Sequence, residues 1–302
     1  MAVANRLAPA PSASKTPASQ KPNKTFTDYI SGETIKKKII GMVGEKNSQR
    51  FITAIVSAVS NNRNLAPCTP GTIIAGALLG ESLKLTPSPQ LGQYYLVPYK
   101  IKRKDDNGKE YWEDVAQFQL GYKGYIQLAI RSNYYRDLDV LEVREGEYLG
   151  RNRLTGKHQF SFISNEEERN SKPVVGYLAY FEYTNGFTKT IYWTKSDMEK
   201  HAITYSKAYA SDLENKTSYS FWSTKFNDMA FKTMIRQLLS RWGIMSIEMQ
   251  IAYERDMAVI DDNENYEYVD ANDNANILNA IPEETPQLQQ NQTTNAIDQF
   301  FN

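Results

Sequence analysis

Apolar residues in the first third of the chain recur at helical spacing. Within 49–60 they fall three or four positions apart and share one helix face, at Phe51, Ile52, Ile55, Val56 and Val59. A second helix is predicted from Thr69, an N-cap residue that is followed by Pro70 at the first helical position. This helix extends to roughly residue 84, because the prolines at 87 and 89 stop it.

The middle of the chain alternates apolar and polar positions, which is typical of half-buried strands. One hairpin is predicted from 93–104 and 109–120, joined by the turn Asp105-Asp106-Asn107-Gly108. A second hairpin runs through 174–184, turns at Asn185-Gly186 and returns through 187–193.

Helical patterns return toward the C-terminus. Thr194 and Asp197 have the spacing of a capping box, which predicts a helix to roughly residue 210. A long helix is predicted over 221–242, ending at Gly243, a residue type typical of the C′ position. The order of elements predicts an α+β fold, with an N-terminal helical lobe, a central twisted antiparallel sheet with hairpins, and C-terminal helices.

The formal net charge of zero hides a strong segregation of charge along the chain. Residues 254–302 hold eleven acids and one base, Arg255. Subtracting them from the totals of 35 and 35 leaves 24 acids against 34 bases in residues 1–253, a balance of +10. A basic body with an acidic tail indicates a polyanionic partner.

Composition divides the chain into three parts. Residues 1–24 predict a disordered basic arm, residues 25–261 one folded body, and residues 262–302 a disordered acidic tail that is rich in Asn and Gln. The tail is either a docking segment for a partner protein or a solubilising extension, and composition leaves both open.

The number of cysteines and the length of apolar runs indicate the cellular compartment. A single cysteine, Cys68, excludes a disulfide framework and fits a reducing environment. No apolar run reaches the ~18 residues of a membrane span, and residues 1–24 lack the apolar centre of a signal peptide. We therefore expect a cytoplasmic protein.

One segment approaches a phosphate-binding loop without matching it. Between Gly150 and Gly156 there is one residue too many, and His158 follows Lys157 where a hydroxyl residue is needed. A turn between two strands explains these residues better than nucleotide binding does.

Metal sites are also poorly supported. His158 and His201 have no partner at metal-ligand spacing. Asp261, Asp262 and Glu264 could imitate a nuclease metal site, but their polar surroundings predict solvated carboxylates without the rigid placement that catalysis needs. We expect no cofactor, no metal and no enzymatic activity.

Three segments place positive charge on ordered elements, and the first is the strand at 99–104. Because side chains alternate along a strand, Lys100, Lys102 and Lys104 share one face. This pattern predicts a DNA-binding face, although an edge strand that carries lysines against aggregation would look the same.

The second segment, 118–131, passes from a strand through glycines into a helix. Gly121 and Tyr122 lie at the predicted start of the helix. The free backbone N–H groups of a helix N-terminus can bind a phosphate. Lys123, Gln127 and Arg131 recur every four residues and line one helix face. Aromatic residues at helical spacing usually belong to the core, and this alternative applies to the tyrosine more than to the cations.

The third segment is the long C-terminal helix. At 100° per residue, a narrow stripe that contains no acid is formed by Lys225, Met229, Lys232 and Arg236. An ordinary solvated helix face is the alternative interpretation. Further candidates on or just before this helix are Thr224, Asn227, Lys189 and Lys207.

Several of these segments resemble the RecT family of phage single-strand DNA annealing proteins. The matching motifs are Cys68-Thr69-Pro70, Ala75-Gly76-Ala77-Leu78-Leu79-Gly80-Glu81, Ser88-Pro89-Gln90-Leu91-Gly92-Gln93-Tyr94-Tyr95-Leu96-Val97-Pro98-Tyr99, the Gly-Tyr-Lys-Gly block within 118–131, and the helix at 222–239. The resemblance covers roughly residues 28–250. It implies that the basic positions of the family fall on Lys100, Lys102, Lys123, Arg131, Lys225, Lys232 and Arg236.

The resemblance also implies a function. Such proteins, which are related to the Redβ proteins, coat single-stranded DNA, form rings or helical filaments, and pair complementary strands into duplex without ATP. Their partners are a phage exonuclease and, through the acidic tail, a host single-strand-binding protein. The alternatives are a single-strand-binding protein that does not anneal and, less favoured, a metal-dependent nuclease.

Overall fold

The computed structural model describes residues 25–105, 107–261, 263 and 265–268. Predictions for residues 1–24, for Asp106, Asp262 and Glu264, and for 269–302 lie outside the described residues. The chain begins with four helices, α1 (Phe26–Ile30), α2 (Glu33–Val43), α3 (Glu45–Asn61) and α4 (Pro70–Ser82), with a short 3₁₀ turn at Arg63–Leu65 before the last.

Nine strands follow in the described part of the chain, and all their pairings are antiparallel. They are β1 (Tyr94–Lys104), β2 (Glu110–Leu120), β3 (Tyr135–Arg144), β4 (Tyr148–Arg151), β5 (His158–Phe160), β6 (Val174–Tyr183), β7 (Thr188–Thr194), β8 (Ala258–Ile260) and β9 (Tyr266–Tyr268). The remaining helices are α5 (Tyr122–Arg131), α6 (Glu166–Ser171), α7 (Lys195–Tyr205), α8 (Lys207–Asn215), α9 (Phe221–Thr224), α10 (Phe226–Trp242) and α11 (Ile247–Arg255).

The strands form three sheets, in the orders β1-β2-β8-β9, β3-β6-β7 and β4-β5. Helix α4 lies against β2, and α10 packs against β6 and β7. Because α4 is apolar on all sides, most of its residues are buried, as is usual for a helix in a protein core. One continuous apolar core joins the N-terminal helices, the sheets and α10.

The predicted α+β class is confirmed. The helix predicted at 49–60 corresponds to α3, and the two predicted hairpins correspond to β1–β2 and β6–β7. The segment at 150–158 comprises the end of β4, the turn after it and the first residue of β5. Thr194 is the N-cap of α7, because the Asp197 N–H donates to the Thr194 hydroxyl over 3.1 Å; the Asp197 carboxylate accepts from the same hydroxyl over 2.6 Å. The strands, however, are divided among three sheets rather than gathered into one central sheet.

The long helix predicted at 221–242 is interrupted. Lys225 has φ −142° and ψ 52°, which separates α9 from α10. The helix does end at Gly243, but with φ −81° rather than the left-handed conformation of a typical C′ glycine. Close packing explains the glycine, since a Cβ there would lie 2.6 Å from the Leu239 carbonyl oxygen and 2.9 Å from the Tyr135 hydroxyl.

The C-terminal segment completes the first sheet. Strand β8 pairs with β2, and Val259 lies opposite Gln117. Strand β9 then pairs with β8, and Arg103 of β1 forms an ion pair with Glu267 of β9. The boundary predicted between residues 261 and 262 therefore falls inside the β8–β9 hairpin. None of the helices in the described part of the chain has the length and apolar character needed to cross a membrane.

Candidate nucleic-acid interface

A cleft of about 280 Å³ opens beside α10. Strand β1 contributes one side through Val97–Tyr99, and α7 with the start of α8 contributes another, including Ala202 and Tyr205. Met229, Lys232 and Arg236 of α10 form the floor. A narrower extension shares Gln119, Phe221, Met229 and Lys232 with it and continues to Gly121, Tyr122 and Lys225. We call the whole feature the α10 cleft.

Two cationic side chains in the floor of the α10 cleft share one carboxylate. Lys232 is 6% exposed and Arg236 is 8% exposed, while Asp256, in the turn before β8, is fully buried. One oxygen of Asp256 accepts from Lys232 Nζ over 2.9 Å and from the Leu120 N–H over 2.8 Å. The other accepts from Arg236 over 2.5 Å and from the Tyr125 hydroxyl over 2.9 Å.

The protonation of this cluster follows from burial and charge. Burial alone would raise the pKa of the Asp256 carboxyl, but Lys232 and Arg236 hold it below its ordinary value, so the group is ionised at neutral pH. Burial lowers the pKa of Lys232, and Asp256 opposes that change. With both cations protonated, the carboxylate neutralises one of them and the floor retains a surplus positive charge.

Glycines set the position of the turn from β2 into α5, at one end of the α10 cleft. The Gly121 N–H donates to the Gln93 carbonyl over 2.8 Å, which draws the two segments together. A Cβ on Gly121 would lie 2.0 Å from the Gly92 carbonyl oxygen, and one on Gly124 would lie 2.2 Å from the Gln93 carbonyl oxygen. Any larger residue would force the turn away from β1, so the glycines provide close approach rather than flexibility.

The structure brings only part of the sequence-predicted set to the α10 cleft. The members that line it are Gly121, Tyr122, Lys225, Met229, Lys232 and Arg236. Lys232 and Arg236 of the predicted stripe point inward and pair with Asp256, which does not fit the alternative of an ordinary solvated helix face for these two residues. A helical pattern fixes which side chains share a face, but it does not say which element packs against that face.

The lysines of β1 lie elsewhere and have acidic neighbours on β2. Strand β1 is the edge of its sheet. Lys102 lies 2.6 Å from Glu110 and Lys100 lies 3.9 Å from Asp114, while Lys104 is the register partner of Glu110. Their contact with DNA stays a prediction, and this arrangement equally fits the alternative of a protected edge strand.

Several other candidates already have partners within the protein. Arg131 donates to the Leu83 carbonyl over 2.7 Å at the end of α4. Lys189 lies 3.8 Å from the centre of the Trp242 ring. Asn227 accepts from the Tyr177 hydroxyl over 2.7 Å, and the Thr224 hydroxyl donates to the Ser220 carbonyl over 3.0 Å.

Three exposed candidates complete the set. Lys123 and Gln127 lie on the exposed side of α5, and Lys207 begins α8 next to cleft-lining Ala208. Whether any of these residues contacts DNA stays a prediction.

Sequence reasoning missed other residues of the α10 cleft. Gln119 is a polar residue at a buried position of β2, and its side-chain amide donates to the Gln117 side chain over 2.7 Å. A polar residue at a buried strand position was the available signal. Tyr205, Tyr219 and Phe221 also line the cleft, whereas aromatic residues were expected mainly in the core.

The fold and the cleft together define an α+β protein whose cleft floor contains two buried cations and one carboxylate. The chain belongs to the RecT family, whose family model matches residues 49–270. This family comprises single-strand annealing proteins of recombination, which bind single-stranded DNA and oligomerise.

Two curated relatives support the assignment. The chain is 36% identical to "Uncharacterized protein YqaK" of Bacillus subtilis (strain 168) over 265 residues, which cover 88% of this chain and 81% of the relative. It is 25% identical to "Protein RecT" of Escherichia coli (strain K12) over 251 residues, which cover 80% of this chain and 83% of that protein.

Proposed function

We propose that the protein anneals complementary single strands of DNA without ATP and holds their phosphates along the α10 cleft. The observation that carries this proposal is the floor of the cleft, where Lys232 and Arg236 face the single carboxylate of Asp256. Burying a cation without its own counter-charge is unfavourable. With both cations protonated, the surplus charge favours an anionic ligand, while exposed Lys225 and exposed Asp228 both line the extension of the cleft and offset each other's charge.

The reaction needs no fuel, because stacking stabilises a duplex by about 1.4 kcal/mol per base-pair step. The barriers are repulsion between strands and pairing within each strand. Neutralising phosphates lowers the first, and holding the strand extended lowers the second. This mechanism uses no catalytic group, no metal and no cofactor, so we propose a protein that is not an enzyme.

The proposal includes a homo-oligomer, either a ring or a helical filament, that aligns many nucleotides at once and carries the annealed duplex. The N-terminal helices are the proposed contact between subunits. Exposed apolar Ile40 and Met42 on α2 support this choice. A phage exonuclease that supplies the single strand, and a host single-strand-binding protein that docks on the acidic tail, are the proposed partners in the cytoplasm of a bacterial host.

The test mixes the full-length protein with two complementary dye-labelled strands, without nucleoside triphosphate, and follows duplex formation by energy transfer. We expect annealing to be faster than in a protein-free control. A strict requirement for hydrolysable ATP would refute the proposal. Binding without duplex formation would identify a single-strand-binding protein that does not anneal, and metal-dependent strand cleavage would identify a nuclease.

A further inference from the structure

A short segment with an exposed aromatic ring borders the α10 cleft. We call Tyr219–Phe221 the lip. Its Tyr219 is 90% exposed and Phe221 is 40% exposed, and both line the cleft. Trp222, directly after the lip, is buried and packs edge-on against Phe226 with 5.2 Å between ring centres. The aromatic rings of Tyr219 and Phe221 are thus exposed at the cleft, whereas the ring of Trp222 is buried.

A buried carboxylate fixes the lip. Asp212 of α8 accepts from the backbone N–H groups of Tyr219 and Ser220 over 3.1 Å and 2.7 Å. It also accepts from the hydroxyls of Thr217 and Ser223, each over 2.6 Å. These hydrogen bonds lower the pKa of Asp212, with those from the Ser223 and Thr217 hydroxyls contributing most, so the carboxylate stays ionised and holds both sides of the lip.

An exposed ring on a backbone held in this way can stack on an unpaired base. Bases stack on aromatic side chains irrespective of sequence, because every base has a π-face. Next to a cationic floor that attracts phosphates, a single strand offers its base faces to the rim. In a continuous duplex, neighbouring base pairs cover those faces. Stacking occupies a face and leaves the Watson–Crick edge free, so it is compatible with pairing.

We propose that Tyr219 stacks on an unpaired base of the bound strand, and that Asp212 is the positioning residue that fixes the backbone from which the ring projects. This inference rests on the proposed function, because it takes the α10 cleft as the strand-binding site. It adds a contact that recognises bases to a surface that otherwise recognises phosphates. The lip thereby distinguishes single-stranded from duplex DNA.

The test compares full-length variants by fluorescence anisotropy on two labelled probes, a thymidine oligonucleotide and an abasic strand with the same number of phosphates. We expect Tyr219→Ala to weaken binding of the thymidine probe by about five- to tenfold and to leave the abasic probe unaffected. The slope of log affinity against log salt should not change, because the ring releases no counterions. Tyr219→Phe should keep the wild-type preference for bases.

Tyr134→Ala is the matched control, because this tyrosine is 46% exposed and does not line the α10 cleft. An undiminished preference for bases in Tyr219→Ala would overturn the inference. The inference would also be overturned if Tyr219→Ala changed the size of the oligomer and kept the preference for bases, because the ring would then be a contact between subunits. Failure of the wild-type protein to bind either probe would instead refute the proposed function.

The role of Asp212 is tested separately. Asp212→Ala should lose the preference for bases to the same extent as Tyr219→Ala, and the double variant should lose no more, because both changes remove one contact. A thermal melt of each variant checks that it is folded. Additive losses in the double variant would show that Asp212 does not act through Tyr219.

Discussion

Replacing Asp256 by Asn tests whether the buried charge cluster holds the floor of the α10 cleft. The carboxylate accepts from four donors, on Leu120, Tyr125, Lys232 and Arg236. The side-chain amide of Asn has only one accepting oxygen, and its NH₂ group would face donors that now bind the second carboxylate oxygen. The variant therefore leaves buried donors unsatisfied and two buried cations without a counter-charge.

The expected effect is large because the cluster is buried. Removing one partner of a buried ion pair costs about 3–5 kcal/mol. For a domain of 150–250 residues, the melting temperature changes by about 2–4 °C per kcal/mol, which predicts a decrease of about 6–20 °C. Glu110→Gln is the matched control, because Glu110 forms a 2.6 Å ion pair with Lys102 at the surface. An exposed pair of this kind is worth about 0–1 kcal/mol.

The assay is differential scanning calorimetry of the full-length variants at one protein concentration and one scan rate. The double variant Asp256→Asn/Lys232→Met should recover part of the loss, because it removes one of the uncompensated cations. A decrease for Asp256→Asn no larger than that for Glu110→Gln would refute the view that this carboxylate neutralises the cluster. Equal melting temperatures for the single and double variants would show that Lys232 is not coupled to it.

Three further outcomes are expected. Lys225→Ala should make the slope of log affinity for single-stranded DNA against log salt shallower by about 0.7, whereas Lys200→Ala, which removes a surface lysine paired with Asp197, should leave it unchanged. The lowered pKa of Asp256 stabilises the fold above the ordinary carboxyl pKa, and that stability is lost as pH falls through the lower folded-state value. Acid unfolding followed by circular dichroism should therefore depend less steeply on pH in Asp256→Asn. Truncation after residue 268, which keeps β9, should leave annealing in vitro intact or faster while lowering recombination in cells. Loss of annealing in vitro would contradict an accessory role for the tail.

Local patterns were sufficient to predict much of the fold. The period of 3.6 at Phe51 and Ile55 predicted α3, and the turn at Asn185-Gly186 predicted the β6–β7 hairpin, because both depend on residues that are close in sequence. The break at Lys225 was missed, since apolar residues continue at helical spacing on both sides of it.

The site was harder to predict, because its chemistry depends on residues that are distant in the chain. Lys232 and Arg236 were identified as cations on one face, but their partner Asp256 lies 24 and 20 positions away, beyond α11. The lip was missed for a related reason. Tyr219 and Trp222 are both aromatic, and only the packing of Trp222 against Phe226 determines which of the two is buried.

The pairing of β8 with β2 has a consequence for the order of folding during synthesis. The Leu120 N–H donates to Asp256 across 136 positions of sequence, and Met257 donates to the Phe118 carbonyl. Until residues 256–260 have left the ribosome, α10 carries two cations without their carboxylate, and β2 lacks its pairing with β8. Contacts of such long range close slowly, and exposed strand edges favour association with other chains. The nascent protein thus completes its cleft only after residue 256 has been synthesised, so a chain released earlier lacks the group that completes its interior.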